Sequence, residues 1–193
     1  LADNWLNEGL GIAASEQPNE DGMLVDEGPK TLSLLLMGVD RRDEEASRAD
    51  TIIVAFIDTD TKKVNLLSIP RDTYVSVPGH GETKVNHAHA YGGADLMAET
   101  ISEFLGVPIN KYVELDFEGF KNIIDILGGV TIDVEERMYR PSEGIDLYPG
   151  KGQHLDGDKS LQFVRYRGKM GDIGRIENQQ KFLKTLADQA ISL

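Results

Sequence analysis

The sequence contains no cysteine. That excludes disulfides, thiolate metal sites and cysteine nucleophiles. It leaves the compartment open, because envelope and cytosolic proteins alike can lack the residue. Long apolar runs are missing too, and no stretch approaches the roughly 18 residues a membrane span needs. Positive charge is scarce: Lys and Arg number 20 against 33 Asp and Glu, a formal net charge of −13. Such a balance argues against non-specific binding to nucleic acid or an anionic membrane surface. The few arginines cluster. Arg41 and Arg42 are adjacent, and Arg165, Arg167 and Arg175 lie close together.

What is present suits one folded domain. The chain has 193 residues, 40% apolar and 27% charged, enough for a sizeable core. Residues 1–30 read as a lead-in, with a short amphipathic helix over Leu1–Ala14 and a polar loop marked by Pro18 and Asp21-Gly22. Residues 31–193 form the domain proper. The chain opens on Leu1 rather than Met, so an upstream segment is expected.

Apolar, β-branched runs predict strands at Leu32–Met37, Thr51–Ile57, Val64–Ile69, Tyr112–Leu115 and Val130–Val134. Helical spacing predicts helices over Gly92–Leu105, Phe117–Leu127 and Ile176–Ile191. Asp156–Val164 reads as a helix behind an Asp cap, with a strand as the alternative, and Glu135–Gly152 reads as loop. Thr51–Ile57 and Val64–Ile69 are joined by a short polar turn, the pattern of an antiparallel hairpin. Strands alternating with helices predict an α/β fold, a mixed sheet sandwiched between helices.

A hairpin turn centred near Thr61 makes facing residue numbers sum to about 122. Asp50 then faces Asp72, Thr51 faces Arg71, and Arg48 lies just beyond. A first strand parallel to Val64–Ile69 leaves Asp40 at the same end. Gathered carboxylates repel unless a cation sits among them. Magnesium takes one or two carboxylates and completes its shell with water and phosphate oxygens. Arginine forks beside it match phosphate oxygens in pairs. The combination suits phosphoryl transfer. Surface ion pairs, each worth under about 1 kcal/mol, are the competing account. Arg165 and Arg167 alternate, so an extended chain points them to one side, while Arg175 and Gln179 share a helical face. His87 and His89 read as a loop or capping pair, or as weak zinc candidates. The apolar face of Phe117–Leu127 is either core or the lining of a lipid slot.

The ordered set "LLLMGVDRR", "RADT", "LLSIPRDTYV", "KVNHAHAYGG", "ILGGV", "LDGDKSLQFVRYR" and "GDIGR…QQ" resembles the LytR–CpsA–Psr family, from about Leu34 to Gln180. The resemblance implies a mixed sheet between helices with a deep apolar pocket for a prenyl tail. It implies a phosphotransferase at the extracellular face of the bacterial plasma membrane. Its action is to move a glycopolymer, such as teichoic acid or capsule, from a polyprenyl-pyrophosphate carrier to peptidoglycan. A single-pass anchor would lie upstream of this chain, and nucleic acid is not a partner. By resemblance, Asp40 and Asp50 hold magnesium or manganese. Arg48, Arg71, Arg165, Arg167 and Arg175, with Lys84 and Gln179, face the pyrophosphate. Arg71, Asp72 and Asp172 are the candidates for catalytic roles. Rival readings are a non-catalytic polyprenyl-phosphate-binding module and a polyprenyl-pyrophosphate pyrophosphatase. Two departures stand out: Asn178 occupies a position where many relatives carry arginine, and many relatives continue beyond the residue matching Leu193.

Overall fold

The computed structural model describes residues 31–40 and 48–191. The helix expected over Leu1–Ala14, the loop after it and the Arg41-Arg42 pair lie outside the described residues. Four strands form the central sheet: β1 (Thr31–Asp40), β2 (Arg48–Asp58), β3 (Lys63–Ser68) and β6 (Lys111–Leu115), in the order β3-β2-β1-β6. β2 runs antiparallel to both β1 and β3, and β6 runs parallel to β1. The predicted mixed sheet and early hairpin are both present.

Pleating divides the sheet's side chains between two faces. Leu35, Met37, Val39, Ile52 and Val54 point to one face and are almost fully buried. Helix α1 (Asn86–Leu105) and the hairpin of β4 (Tyr74–Val77) and β5 (Gly81–Lys84) cover them with Val75, Val77, Ala88, Met97 and Ile101. This helix starts well before the predicted Gly92. Gly92 and Gly93 form a kink inside it, and Gly93 takes φ 65° and ψ −155°, a region open essentially to glycine alone. A Gly pair that reads as a start signal therefore marks a bend. Gly106 ends the helix in the left-handed conformation, as expected.

Three helices lie over the other face. α2 (Phe117–Ile126) is capped by Asp116, whose carboxylate accepts from Gly119 N at 2.8 Å. α3 (Gly157–Arg165) is capped by Asp156, accepting from Lys159 N at 2.8 Å. α4 spans Asp172–Ile191, one turn longer than predicted. A second apolar cluster, including Ile124, Val130, Ile132, Phe163 and Phe182, ties these helices to β7 (Val130–Val134) and β10 (Gly150–Leu155). The segment predicted as loop instead carries β8 (Met138–Arg140), a one-turn 3-10 helix (Pro141–Glu143) and β9 (Ile145–Leu147), followed by β10. Met138, Ile145 and Leu147 are buried while Tyr139 and Asp146 face out. That alternation is real but too short to stand out from turn residues.

Candidate functional site

Backbone pairing brings the acidic and basic motifs to one end of the sheet. Asp40 and Arg48 are Cα partners where β1 meets β2, and Asp50 follows two residues along β2. The side chains of Asp40 and Arg48 lie outside the described atoms. The hairpin register is one residue tighter than predicted, with Ile53 facing Ser68. Pro70 ends the ladder in a turn that receives Thr73 N at 2.9 Å. As a result Arg71, rather than Asp72, meets Asp50: its Nη1 donates to Oδ1 at 2.6 Å. That hydrogen bond is the main reason the Arg71 guanidinium is held above its ordinary pKa. Asp72 receives Lys84 Nζ at 2.7 Å and sits 3.8 Å from Arg71 Nε. The Lys84 bond keeps the Asp72 carboxyl below the usual carboxylate range.

The other arginines arrive from the opposite layer. α3 ends at Arg165 and Tyr166 beyond it is extended, so of the alternating pair Arg165 closes the helix and Arg167 follows it. They nevertheless line one cavity of about 320 Å³, together with Asp50, Thr51, Glu143, Arg175 and Gln179. Arg165 lies over the Phe117 ring, 4.7 Å from its centroid, and its Nη1 donates to Glu143 O at 3.3 Å. Gln179 Nε2 donates to Thr51 Oγ1 at 3.2 Å and to Val164 O at 3.3 Å, pinning α4 to β2 and α3. Arg175 and Gln179 do share the predicted face.

Asp172 stands behind the arginines. Its Oδ1 lies 3.5 Å from Arg167 Nε and 3.3 Å from Arg175 Nη2. Arg175 is more enclosed than Arg71 or Arg167, with only 14% of its side chain exposed against 38% and 39%. Burial pushes its guanidinium below its ordinary pKa, and the Asp172 charge opposes that shift. Its Nε is buried without a hydrogen-bond partner among the described residues. A buried cation with an unsatisfied donor is chemistry suited to an anion.

An apolar slot of about 170 Å³ continues from this cavity. The second face of the sheet supplies Leu36, Ile53 and Val113, and the helices supply Phe120, Val164 and Phe182. Gly38, Thr51, Phe117, Arg165 and Gln179 line both spaces and form the boundary between them. Gly38 lets the Thr51 side chain come close at that boundary, since a Cβ there would lie 3.1 Å from Thr51 Cβ. The α2 face thus serves both readings considered for it: Ile124 is core, while Phe117 and Phe120 line the slot.

Some expected residues fall elsewhere. Arg71, Asp172, Asp72 and Lys84 are not in the cavity lining: Arg71 meets it through Asp50, Asp172 through Arg167 and Arg175, and Asp72 with Lys84 through Arg71. His87 and His89 turn to different partners: Nδ1 of His87 is 2.8 Å from Thr83 Oγ1, and Nε2 of His89 is 2.9 Å from Glu114 Oε2. They do not converge on a metal, and both lie within α1 rather than in a loop. Among the described residues there is no cluster of three or more acidic or histidine side chains able to hold a metal. Sequence reasoning missed Glu143 and Gly38, and placed Thr51 at this end of the sheet without giving it a role. Glu143 was hidden in the apparent loop, where only the Pro-Ser-Glu-Gly turn marks it.

The comparisons agree with this geometry. The LytR_cpsA_psr family profile matches residues 11–193. The chain is 39% identical over 167 residues to a protein of Enterococcus faecalis named polyisoprenyl-teichoic acid–peptidoglycan teichoic acid transferase TagU, covering 83% of this chain and 54% of that protein. A relative of the same name from Oceanobacillus iheyensis is 38% identical over 170 residues, covering 83% and 52%. The chain therefore spans about half the length of these relatives. A solved structure of TagT bound to LIIa-WTA matches with TM-score 0.75 and 34% identity, over 93% of this chain and 71% of that one. TagT (YwtF) with bound octaprenyl pyrophosphate lipid matches with TM-score 0.71 and 34% identity, over 90% and 70%. With ordered motifs, fold and profile in agreement over most of its length, the chain belongs to the LytR–CpsA–Psr family.

Proposed function

We propose that this domain transfers a phosphate-linked glycopolymer from a polyprenyl-pyrophosphate carrier onto peptidoglycan, at the extracellular face of the membrane. The observation that carries this reading is the continuity of the apolar slot with the arginine cavity through Phe117, Arg165 and Gln179. The apolar lining of the first space suits a prenyl tail, and the arginines of the second suit a diphosphate. The names of the relatives, and the lipid bound by TagT, support the same substrate class. None of the described helices is long and apolar enough to cross a membrane.

In this reading Arg71, Arg165, Arg167 and Arg175 neutralise the diphosphate and the charge that develops on the transferred phosphoryl group. Arg48 adds to them from the end of β2. Gln179 steadies the α4 wall. Asp50 presents a hard carboxylate at the cavity, the donor type that magnesium or manganese takes. Asp40, at the adjoining end of β1, is its counterpart, and the two would hold the ion. Such an ion would supply charge neutralisation to the diphosphate. A peptidoglycan hydroxyl forms the new bond to phosphorus, the bond to the carrier's bridging oxygen breaks, and prenyl phosphate leaves along the slot. Asp172, held at the edge of the cavity by Arg167 and Arg175, is in this reading the carboxylate that takes the hydroxyl proton. Asp72, tied to Lys84, steadies Arg71 from the outside.

The test is transfer of labelled glycan from a lipid-linked donor to peptidoglycan. Multiple turnovers are expected, with strong loss in Arg71→Ala. Capture of one lipid per protein without turnover would instead establish a binding module. Equal release with and without peptidoglycan would establish a pyrophosphatase.

A further inference from the structure

A second cleft of about 380 Å³ adjoins the arginine cavity. Its floor is Met138, Phe163 and Tyr166, and its rim carries Glu136, Glu177 and Asn178. Arg167 lines both this cleft and the arginine cavity. The prenyl slot shares lining residues with the arginine cavity but none with the cleft. The three spaces are therefore linked in order: slot, arginine cavity, cleft.

That order has a chemical meaning if the transferase reading holds, and the inference rests on it. Phosphoryl transfer places the attacking and leaving oxygens on opposite sides of phosphorus. Prenyl phosphate departs toward the slot, so the attacking hydroxyl arrives from the other side, past Arg167. The cleft's lining suits a ligand rich in hydroxyl groups. Lys181 in the cleft wall is taken by Glu135 at 2.6 Å, and among the described residues the side chains of Glu136 and Glu177 enter no ion pair or hydrogen bond, so their carboxylates are available to accept from hydroxyls. Asn178 Nδ2 donates to Tyr166 O at 3.0 Å, and its Oδ1 remains an acceptor. Tyr166 and the exposed Met170 offer apolar surface to the faces of sugar rings. Gly168, at φ 57°, holds the rim close: a Cβ there would lie 3.3 Å from Glu136 Oε1.

We infer that this cleft binds the glycan strand of the acceptor, a chain of N-acetylated sugars, and presents one of its hydroxyls past Arg167 to phosphorus. Glu136 and Glu177 hold neighbouring hydroxyls. In the transfer, the acceptor oxygen gains the bond to phosphorus, the carrier's bridging oxygen keeps the electron pair of the bond that breaks, and the proton goes to Asp172.

The experiment uses the full chain, a soluble peptidoglycan oligosaccharide as acceptor probe and a short prenyl pyrophosphate as donor-site probe. The double variant Glu136→Gln, Glu177→Gln should raise the acceptor KM about tenfold, as expected for losing charged hydrogen bonds, with kcat and prenyl-pyrophosphate affinity unchanged. Both side chains are exposed, and an unchanged melting temperature verifies the fold. Turnover with an unchanged acceptor KM in the variant overturns the cleft and leaves the transferase reading standing. Oligosaccharide binding that the variant abolishes supports the cleft even without turnover, and then only the transferase reading falls. Displacement of the oligosaccharide from the cleft by a lipid-free teichoic acid fragment, at lower concentration than free oligosaccharide requires, assigns the cleft to the donor glycan and overturns the inference.

Discussion

Replacing Arg175 with methionine should separate stability from binding. The substitution keeps an apolar stem and removes the guanidinium. In the folded protein that group is 14% exposed, has Asp172 at 3.3 Å, and leaves Nε unpaired. Burial lowers its pKa, so the folded state holds the proton less firmly than the unfolded chain does. At neutral pH the group is charged in both states, and its charge therefore opposes folding. The compensating contact is with a carboxylate that is 60% exposed, and such pairs contribute under about 1 kcal/mol. That attraction is already part of the net downward shift, so Arg175→Met should leave the melting temperature unchanged or raise it by no more than about 4 °C. Binding should respond differently. A charged hydrogen bond to phosphate contributes about 1.5–3 kcal/mol, or roughly a 10- to 100-fold change in Kd. Thermal melts with and without geranylgeranyl pyrophosphate read both quantities together, because a ligand that binds only the folded state stabilises it by RT ln(1 + L/Kd) at free ligand concentration L. The wild type should show a ligand-induced shift that the variant largely loses. A variant that melts many degrees lower yet binds the lipid with wild-type affinity would refute the reasoning and make Arg175 a structural ion.

Phe182→Ala removes a fully buried ring that packs against Phe120 and Phe163 at centroid distances of 5.7 and 6.3 Å; it should cost about 3–5 kcal/mol in chemical denaturation. Gly157→Ala should cost about 1–3 kcal/mol, since the new Cβ would lie 2.5 Å from the Lys121 carbonyl oxygen, and backbone cannot move aside cheaply. The Asp72 carboxyl titrates below its ordinary value because of Lys84. Its stabilising contribution is therefore complete above about pH 4 and is lost as pH falls through the folded-state value. Asp72→Asn should flatten that acid limb of a stability–pH curve and leave the neutral region parallel to wild type. Tyr112 donates to Asp95 at 2.8 Å, which raises its phenol above the ordinary value; Tyr112→Phe should remove the last-titrating part of the near-ultraviolet phenolate signal.

Long elements with a clear period were readable in advance. The β2–β3 hairpin followed from two β-branched runs and a polar turn, and the Asp156 cap from a single residue type before an apolar pattern. Register was less readable, because one residue of slippage is invisible in composition. That single step moved Arg71 onto Asp50 and sent Asp72 to Lys84. β8 and β9 have three residues each, too few to display alternation. The convergence of Asp50 with Arg165, Arg167 and Arg175 depends on α3 and α4 docking over the sheet. Pattern alone suggested the chemistry, and the family resemblance joined the two halves of the chain. Glu143 had no comparable signal, because a 3-10 turn places it and tertiary packing alone brings that turn to Arg165.

The central claim is that one molecule fills both the arginine cavity and the apolar slot. A crystal structure of this chain with geranylgeranyl pyrophosphate tests it most directly. The account predicts diphosphate oxygens against Arg71, Arg165 and Arg175, with the tail running past Phe117 between Leu36, Val113 and Phe120. A diphosphate bound elsewhere, or a tail lying on the outer surface while the slot stays closed, would contradict it.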